Sequence, residues 1–204
     1  MRIQKILLDN DGILTDLIFP FWEHYHNKKY GTNITRDNPP KKYFLRDQAG
    51  ISLDEEVKRL DEFFEIYPNL PPVKGAKAFI DSLEERGYFF SVATDRLPNL
   101  RERTLRELRD NFNGKINRIF FTPDYKGKQV KKFEVCMDGL GYDVLIDDNP
   151  QNVAECHKNG VNAWLFNGPY NQNENVPKKF RVEDKFRVFS YYHILEKLEE
   201  TNEK

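Results

Sequence analysis

From Gly75 onward this sequence alternates short apolar runs with helical stripes, and that rhythm leaves few folds open to it. Residues 75–86 carry Ala76, Phe79, Ile80 and Leu83 at helical spacing, and Gly87 ends the pattern. Residues 88–93 then read as a strand, 99–112 as a helix and 118–122 as a strand. Val130, Phe133, Met137 and Leu140 mark a third helix, and residues 144–146 a further strand. A short helix over 153–158, a strand over Ala163–Phe166 and a closing helix over 191–198 complete the series. Near the N-terminus, the apolar run 3–8 stops abruptly at Asp9-Asn10-Asp11-Gly12, as a strand buried on both faces would. Alternating strands and helices of this kind predict an α/β fold: a doubly wound parallel sheet with right-handed crossovers.

The rhythm fails over residues 16–70. Helical patches at 19–30 and 52–67 occur there without a convincing strand, Pro39-Pro40 interrupts, and Pro68 and Pro71-Pro72 close the stretch. The expected division is a core of residues 1–16 and 71–204 with a small helical cap, 17–70, inserted after the first strand. Such an insertion overhangs the carboxyl ends of the strands, where open α/β sheets bind ligands.

Four signals fall at successive strand ends. They are Asp9 and Asp11; Thr94-Asp95-Arg96; Lys126 or Lys128 ahead of the third helix; and Leu145-Ile146-Asp147-Asp148-Asn149-Pro150. Singly, the first three have ordinary readings as turn, helix cap and surface lysine. The fourth is harder to dismiss. Adjacent carboxylates straight after a buried strand repel each other and lose hydration unless a cation offsets them. Asp148 could cap the following helix, but Asp147 would stay unexplained. One hard divalent cation gathered by carboxylates of the first and fourth strand ends accounts for both. A phosphate bridging it to Thr94 and a lysine accounts for the rest.

Composition narrows the alternatives. Lys and Arg number 32 against 33 Asp and Glu, a formal net charge of −1, which gives no electrostatic case for nucleic acid or an anionic membrane. The basic stretch 178–187 reads as a solvated face. Cys136 and Cys156 are too few for a disulfide scaffold and read as reduced packing residues. No apolar run approaches the length of a membrane span, and the start of the chain reads as a strand rather than a leader, so a cytoplasmic location is expected. The Asn33-Ile34-Thr35 triplet then reads as incidental, and a homodimer remains open.

The order Asp-x-Asp, Thr, Lys, Asp-Asp resembles the haloacid dehalogenase-like phosphohydrolases, whose Rossmann-type core matches the expected sheet. Within them, DNDGILTD followed by an aromatic-rich insertion is similar to the cytosolic-type 5′(3′)-deoxyribonucleotidases and their bacterial and phage relatives. LIDDNPQN, Gly168-Pro169-Tyr170-Asn171 and an Arg187-Val188 leading into a helix extend the likeness over nearly the whole chain. The resemblance implies a magnesium-dependent phosphate monoester hydrolase with Asp9 as nucleophile and Asp11 as general acid and base. Thr94 and Lys126, with Lys128 as the alternative, would hold the phosphate. Asp9, the Asp11 carbonyl and Asp147 would bind Mg2+, with Asp148 in support. Asp95 stands where relatives often have serine, and with Arg96 it joins the expected substrate contacts.

The implied substrate is a small phosphate ester, foremost a (deoxy)nucleoside monophosphate. A sugar phosphate or a nucleic-acid 3′-phosphate would use the same core, and a catalytically inactive binding module is the non-enzyme alternative. Phe19 and Trp22, one helical turn apart, are the candidates for stacking a base, against a role in the cap's own core. His24 and His26 lie on different faces of that helix and read as surface or packing residues.

Overall fold

The computed structural model describes residues 2–124 and 127–203. Six strands, all parallel, form one sheet: β1 (Lys5–Asp9), β2 (Phe89–Thr94), β3 (Ile119–Phe121), β4 (Val144–Asp147), β5 (Ala163–Phe166) and β6 (Arg187–Val188). Their order across the sheet is β3-β2-β1-β4-β5-β6. The chain therefore winds outward from β1 in one direction and returns to its other side through β4. The crevice between β1 and β4 is the point where strand order reverses, the usual ligand position in such sheets.

Both faces of the sheet are covered, as the apolar strand sequences require. Ile6, Leu8, Val92 and Ile146 pack on one face against α4 (Ala76–Glu85), α5 (Arg101–Asn111) and α8 (Tyr191–Asn202). Leu7, Ala93, Leu145 and Leu165 point to the other, against α6 (Lys132–Met137) and α7 (Pro150–Lys158). The parity of each strand assigns its residues to the two layers. No described helix is long and apolar enough to cross a membrane.

The insertion after β1 is helical. Residues 18–30 form α1, whose middle, Phe21–His26, is a π-helical turn. Pro20 lies in its first turn, where its missing N–H leaves no gap. Two helices follow, α2 (Leu45–Ala49) and α3 (Leu53–Ile66), the second capped by Ser52, whose side chain accepts from Glu55 N. Phe21, Trp22, Tyr25, Leu45, Phe63, Phe64 and Leu70 form a separate apolar cluster here. The chain enters and leaves this layer side by side: Asp16 N donates to Pro71 O, and Thr15 is bridged to Pro72.

One strand and one α-helix among the described residues lie outside the expectations from sequence. The two-residue β6 is too short to show any alternation, and the five-residue α2 too short to show a stripe.

Candidate active site

Strand register gathers the acidic residues. Asp9 ends β1 opposite Ala93 of β2, and Leu8 lies level with Ile146 of β4, so Asp147 follows into the place beside Asp9. Asp9, Asp147 and Asp148 each offer a carboxylate oxygen, and these atoms all lie within 4.8 Å of one another. All three residues are buried. Burial pushes the Asp9 carboxyl well above the ordinary range against the pull of Lys132, and Asp147 and Asp148 push the same way. Burial, then Asp147, lifts Asp148 to about 7.

The ammonium set among these carboxylates belongs to Lys132. Its Nζ lies 2.5 Å from Asp9 Oδ1 and 2.8 Å from Asp147 Oδ2, with Asp95 Oδ2 at 3.7 Å. Lys132 is the first residue of α6 and 3% exposed, sharing a buried face with Val135 and Cys136. That spacing, three and four residues on, is the sequence signal that selects it from the run of lysines. Lys128 is exposed, and Lys126 lies outside the described residues.

Asp148 is held by two phenols: Tyr43 donates to its Oδ1 at 3.0 Å and Tyr170 to its Oδ2 at 2.9 Å. The first belongs to the insertion, the second to the Gly168–Asn171 segment. Asn171 Nδ2 donates to the Asp148 carbonyl. The helix cap is Asn149, whose side chain accepts from Gln151 N, and Asp148 is left for the cluster. Gly12 passes close above it with φ 85°, and a Cβ there would stand 2.0 Å from Asp148 Oδ2, so only glycine fits.

Asp11 and Arg96 form a pair at the edge of the cluster. Arg96 Nε donates to Asp11 Oδ2 at 2.9 Å and its NH2 to Oδ1 at 2.7 Å. The remaining guanidinium contacts are with Glu107 at 2.9 Å and Thr104 at 3.1 Å. Arg96, expected among the substrate contacts, is thus engaged with protein partners. Thr94 ends β2 fully buried, its Oγ1 accepting from Arg96 N and its carbonyl from Thr122 Oγ1. Asp95 is exposed at the rim, bonded by Thr122 and by Asn152 Nδ2 at 3.3 Å.

Above these groups lies a cavity of about 390 Å³, bordered below by Asp9, Asp11, Asp95 and Lys132. Its upper wall is apolar, from Leu17, Phe44, Val57, Leu60 and Phe64, with Arg46 and Glu56 paired at 2.6 Å beside them. A smaller chamber of about 190 Å³ adjoins it, lined by Phe21, Trp22, Tyr43, Phe44, Tyr170 and Asp11 among others. Trp22 is 4% exposed, edge-on to Phe21 at 5.6 Å and to His26 at 4.5 Å, so it packs the insertion and also borders the chamber. Phe19 faces elsewhere. It lies under the Arg36 guanidinium at 4.4 Å, in a groove with Asp16 and Pro72 that neither Asp9 nor Lys132 lines. Phe19 and Trp22 line different cavities and are not neighbours on one wall. His24 is exposed and His26 fully buried.

The sequence matches no family model and no curated protein, but the fold has many solved counterparts. A predicted phosphatase from Clostridium acetobutylicum superposes with a TM-score of 0.66 at 18% identity, over 98% of this chain and 100% of that one. A protein put forward as a phosphoglycolate phosphatase from Lactobacillus delbrueckii gives 0.65 at 17%, over 99% of both chains. A HAD family hydrolase from Deinococcus radiodurans, solved with bound phosphate and sodium, gives 0.60 at 17%, over 97% and 96%. The fold is theirs. It spans the whole chain, insertion included, so the helical layer after β1 is part of the shared architecture.

Proposed function

We propose that this chain is a magnesium-dependent phosphate monoester hydrolase of the haloacid dehalogenase-like type. One observation carries the reading: Asp9, Asp147 and Asp148 converge with Lys132 at the switch point of the sheet, beneath a cavity. The donor set fits a hard divalent cation. Three buried carboxylates stand against one ammonium, and burial, with the neighbouring carboxylates adding to it, raises the Asp9 and Asp148 carboxyls, a cost that a bound cation would offset. Asp9, Asp147 and Asp148, with the Asp11 carbonyl, would hold Mg2+. When bound, it would screen the approach of carboxylate to phosphate and orient the phosphorus.

Asp9 then attacks phosphorus while the ester oxygen departs, and Asp11 gives that oxygen its proton. Water next attacks the aspartyl-phosphate, yielding a proton to Asp11 and phosphate to solvent, and Asp9 is regenerated. Lys132, in the role first given to Lys126 or Lys128, and Thr94 hold phosphate oxygens. The insertion, residues 17–70, acts as a cap that keeps bulk water from the cavity and meets the leaving group.

The finer reading is a 5′-nucleotidase acting on nucleoside monophosphates, supported by the aromatic lining of the chamber next to Asp11. The competing leaving group is a sugar or small acid. Neighbours put forward as a phosphoglycolate phosphatase and as a beta-phosphoglucomutase from Thermotoga maritima favour it. Phosphate release with Mg2+ should be measured over nucleoside monophosphates, sugar phosphates, phosphoglycolate and a 3′-phosphorylated oligonucleotide. Highest kcat/KM on a nucleotide is the expected result. A higher value on another ester overturns the nucleotidase reading, and no release from any ester overturns the hydrolase.

A further inference from the structure

Glu107, on α5, is 2% exposed and borders neither the cavity nor the chamber. A carboxylate so deeply buried is tolerated only when its oxygens are fully engaged. Thr15 Oγ1 donates to Oε1 at 3.1 Å, and Arg96 NH2 lies 2.9 Å from the same oxygen. Leu70 N donates to Oε2 at 3.1 Å. Thr15 and Leu70 lie at the two crossings between core and insertion, so one side chain is fixed by both. Through Arg96 the same side chain reaches Asp11. The guanidinium is a rigid planar fork, and gripping both Asp11 oxygens sets the plane of that carboxyl. Thr104 Oγ1, anchored in turn on Leu100 O, takes its remaining edge.

We propose that Glu107 and Arg96 are positioning residues that fix where Asp11 meets the ester oxygen. This rests on the hydrolase reading above. Held between Glu107 and Asp11, Arg96 keeps its place when a phosphate enters, rather than swinging towards it. Without Glu107 the fork loses its second anchor and the Asp11 carboxyl loses its fixed plane. A misplaced Asp11 slows the first step only for esters whose leaving oxygen needs a proton, while any effect on hydrolysis of the aspartyl-phosphate is the same for every ester and does not enter kcat/KM.

That selectivity is the test. Glu107→Gln and Arg96→Lys are compared with the parent on an alkyl phosphate, whose alkoxide must be protonated, and on p-nitrophenyl phosphate, whose phenolate leaves unaided. The ratio of the two kcat/KM values, taken within one preparation, reports only the step in which the leaving group departs and does not depend on how much of the preparation is folded. Each variant should lower the alkyl-to-aryl ratio by about tenfold or more, while KM for the alkyl ester changes by less than about threefold. In an Asp11→Asn background, Glu107→Gln should lower the ratio no further, since both act on one step. An unchanged ratio in both variants, with both esters slowed equally, would overturn the proposal and leave a buried pair that only stabilises the fold. A parent that releases phosphate from neither ester would instead overturn the hydrolase reading itself.

Discussion

Three buried carboxylates and one ammonium share the ends of β1 and β4, and their balance turns on Lys132. Burial opposes the charge on this lysine, but Asp147, Asp9 and Asp95 more than offset it and raise its pKa well above the ordinary value. Replacing it with methionine, of similar length but uncharged, leaves Asp9 and Asp147 without a counter-charge. Lys132→Met should therefore lose about 3–5 kcal/mol of unfolding free energy in metal-free buffer. Denaturant melts check this, and a loss under about 1 kcal/mol would mean that the carboxylates find another partner. His26 offers a second residue-scale test. Burial and Arg59 lower its pKa to about 4, from 6.5. Arg59 NH1 donates to its Nε2, and Nδ1–H donates to Thr32 Oγ1, so the neutral ring fills both contacts. Between pH 6.5 and 4 the unfolded chain binds the extra proton, so stability falls as pH falls through that window. His26→Gln removes the titration, and its stability should fall less steeply over the same range, by up to about 1.4 kcal/mol per pH unit. Parallel slopes would contradict the assignment.

At the scale of elements, the insertion joins packing to specificity. Trp22 belongs to its apolar cluster and also borders the chamber beside Asp11. Trp22→Ala should cost about 3–5 kcal/mol of stability, as a large core truncation does. On the nucleotidase reading it should also lower kcat/KM on a nucleotide by roughly five- to 150-fold and barely change it on a small chromogenic ester. Equal losses on both substrates would assign Trp22 to packing alone. The helices at 18–30 and 53–66 fall where the sequence reads as helical patches, at 19–30 and 52–67. Their aromatic residues did not reveal which of them face the site, because the π-helical turn at Phe21–His26 departs from the 3.6-residue spacing on which a face is read from sequence. Lys132 escaped for a different reason. Four lysines crowd residues 126–132, and only the buried positions Val135 and Cys136 distinguish one of them. Glu107 was equally hidden, since a charged residue between Arg106 and Leu108 reads as helix surface until β2 brings Arg96 to it.

Across the whole molecule, the parallel sheet and its two helical layers followed from strand–helix alternation, which is a property of the sequence itself. The shape of the site did not follow, because it depends on register between strands far apart in the chain. Asp9 and Asp147 are 138 positions apart in sequence and meet only because β1 and β4 are neighbours. That meeting is the centre of the proposed function, in which a carboxylate in the crevice would attack phosphorus with its charge screened. The most direct test is phosphate release by Asp9→Asn beside the parent, at saturating Mg2+, with a melting curve for each. The amide is isosteric but cannot serve as the nucleophile, so the variant should stay folded and turn over at under about one per cent of the parent rate. A folded Asp9→Asn variant that keeps more than that would contradict the account.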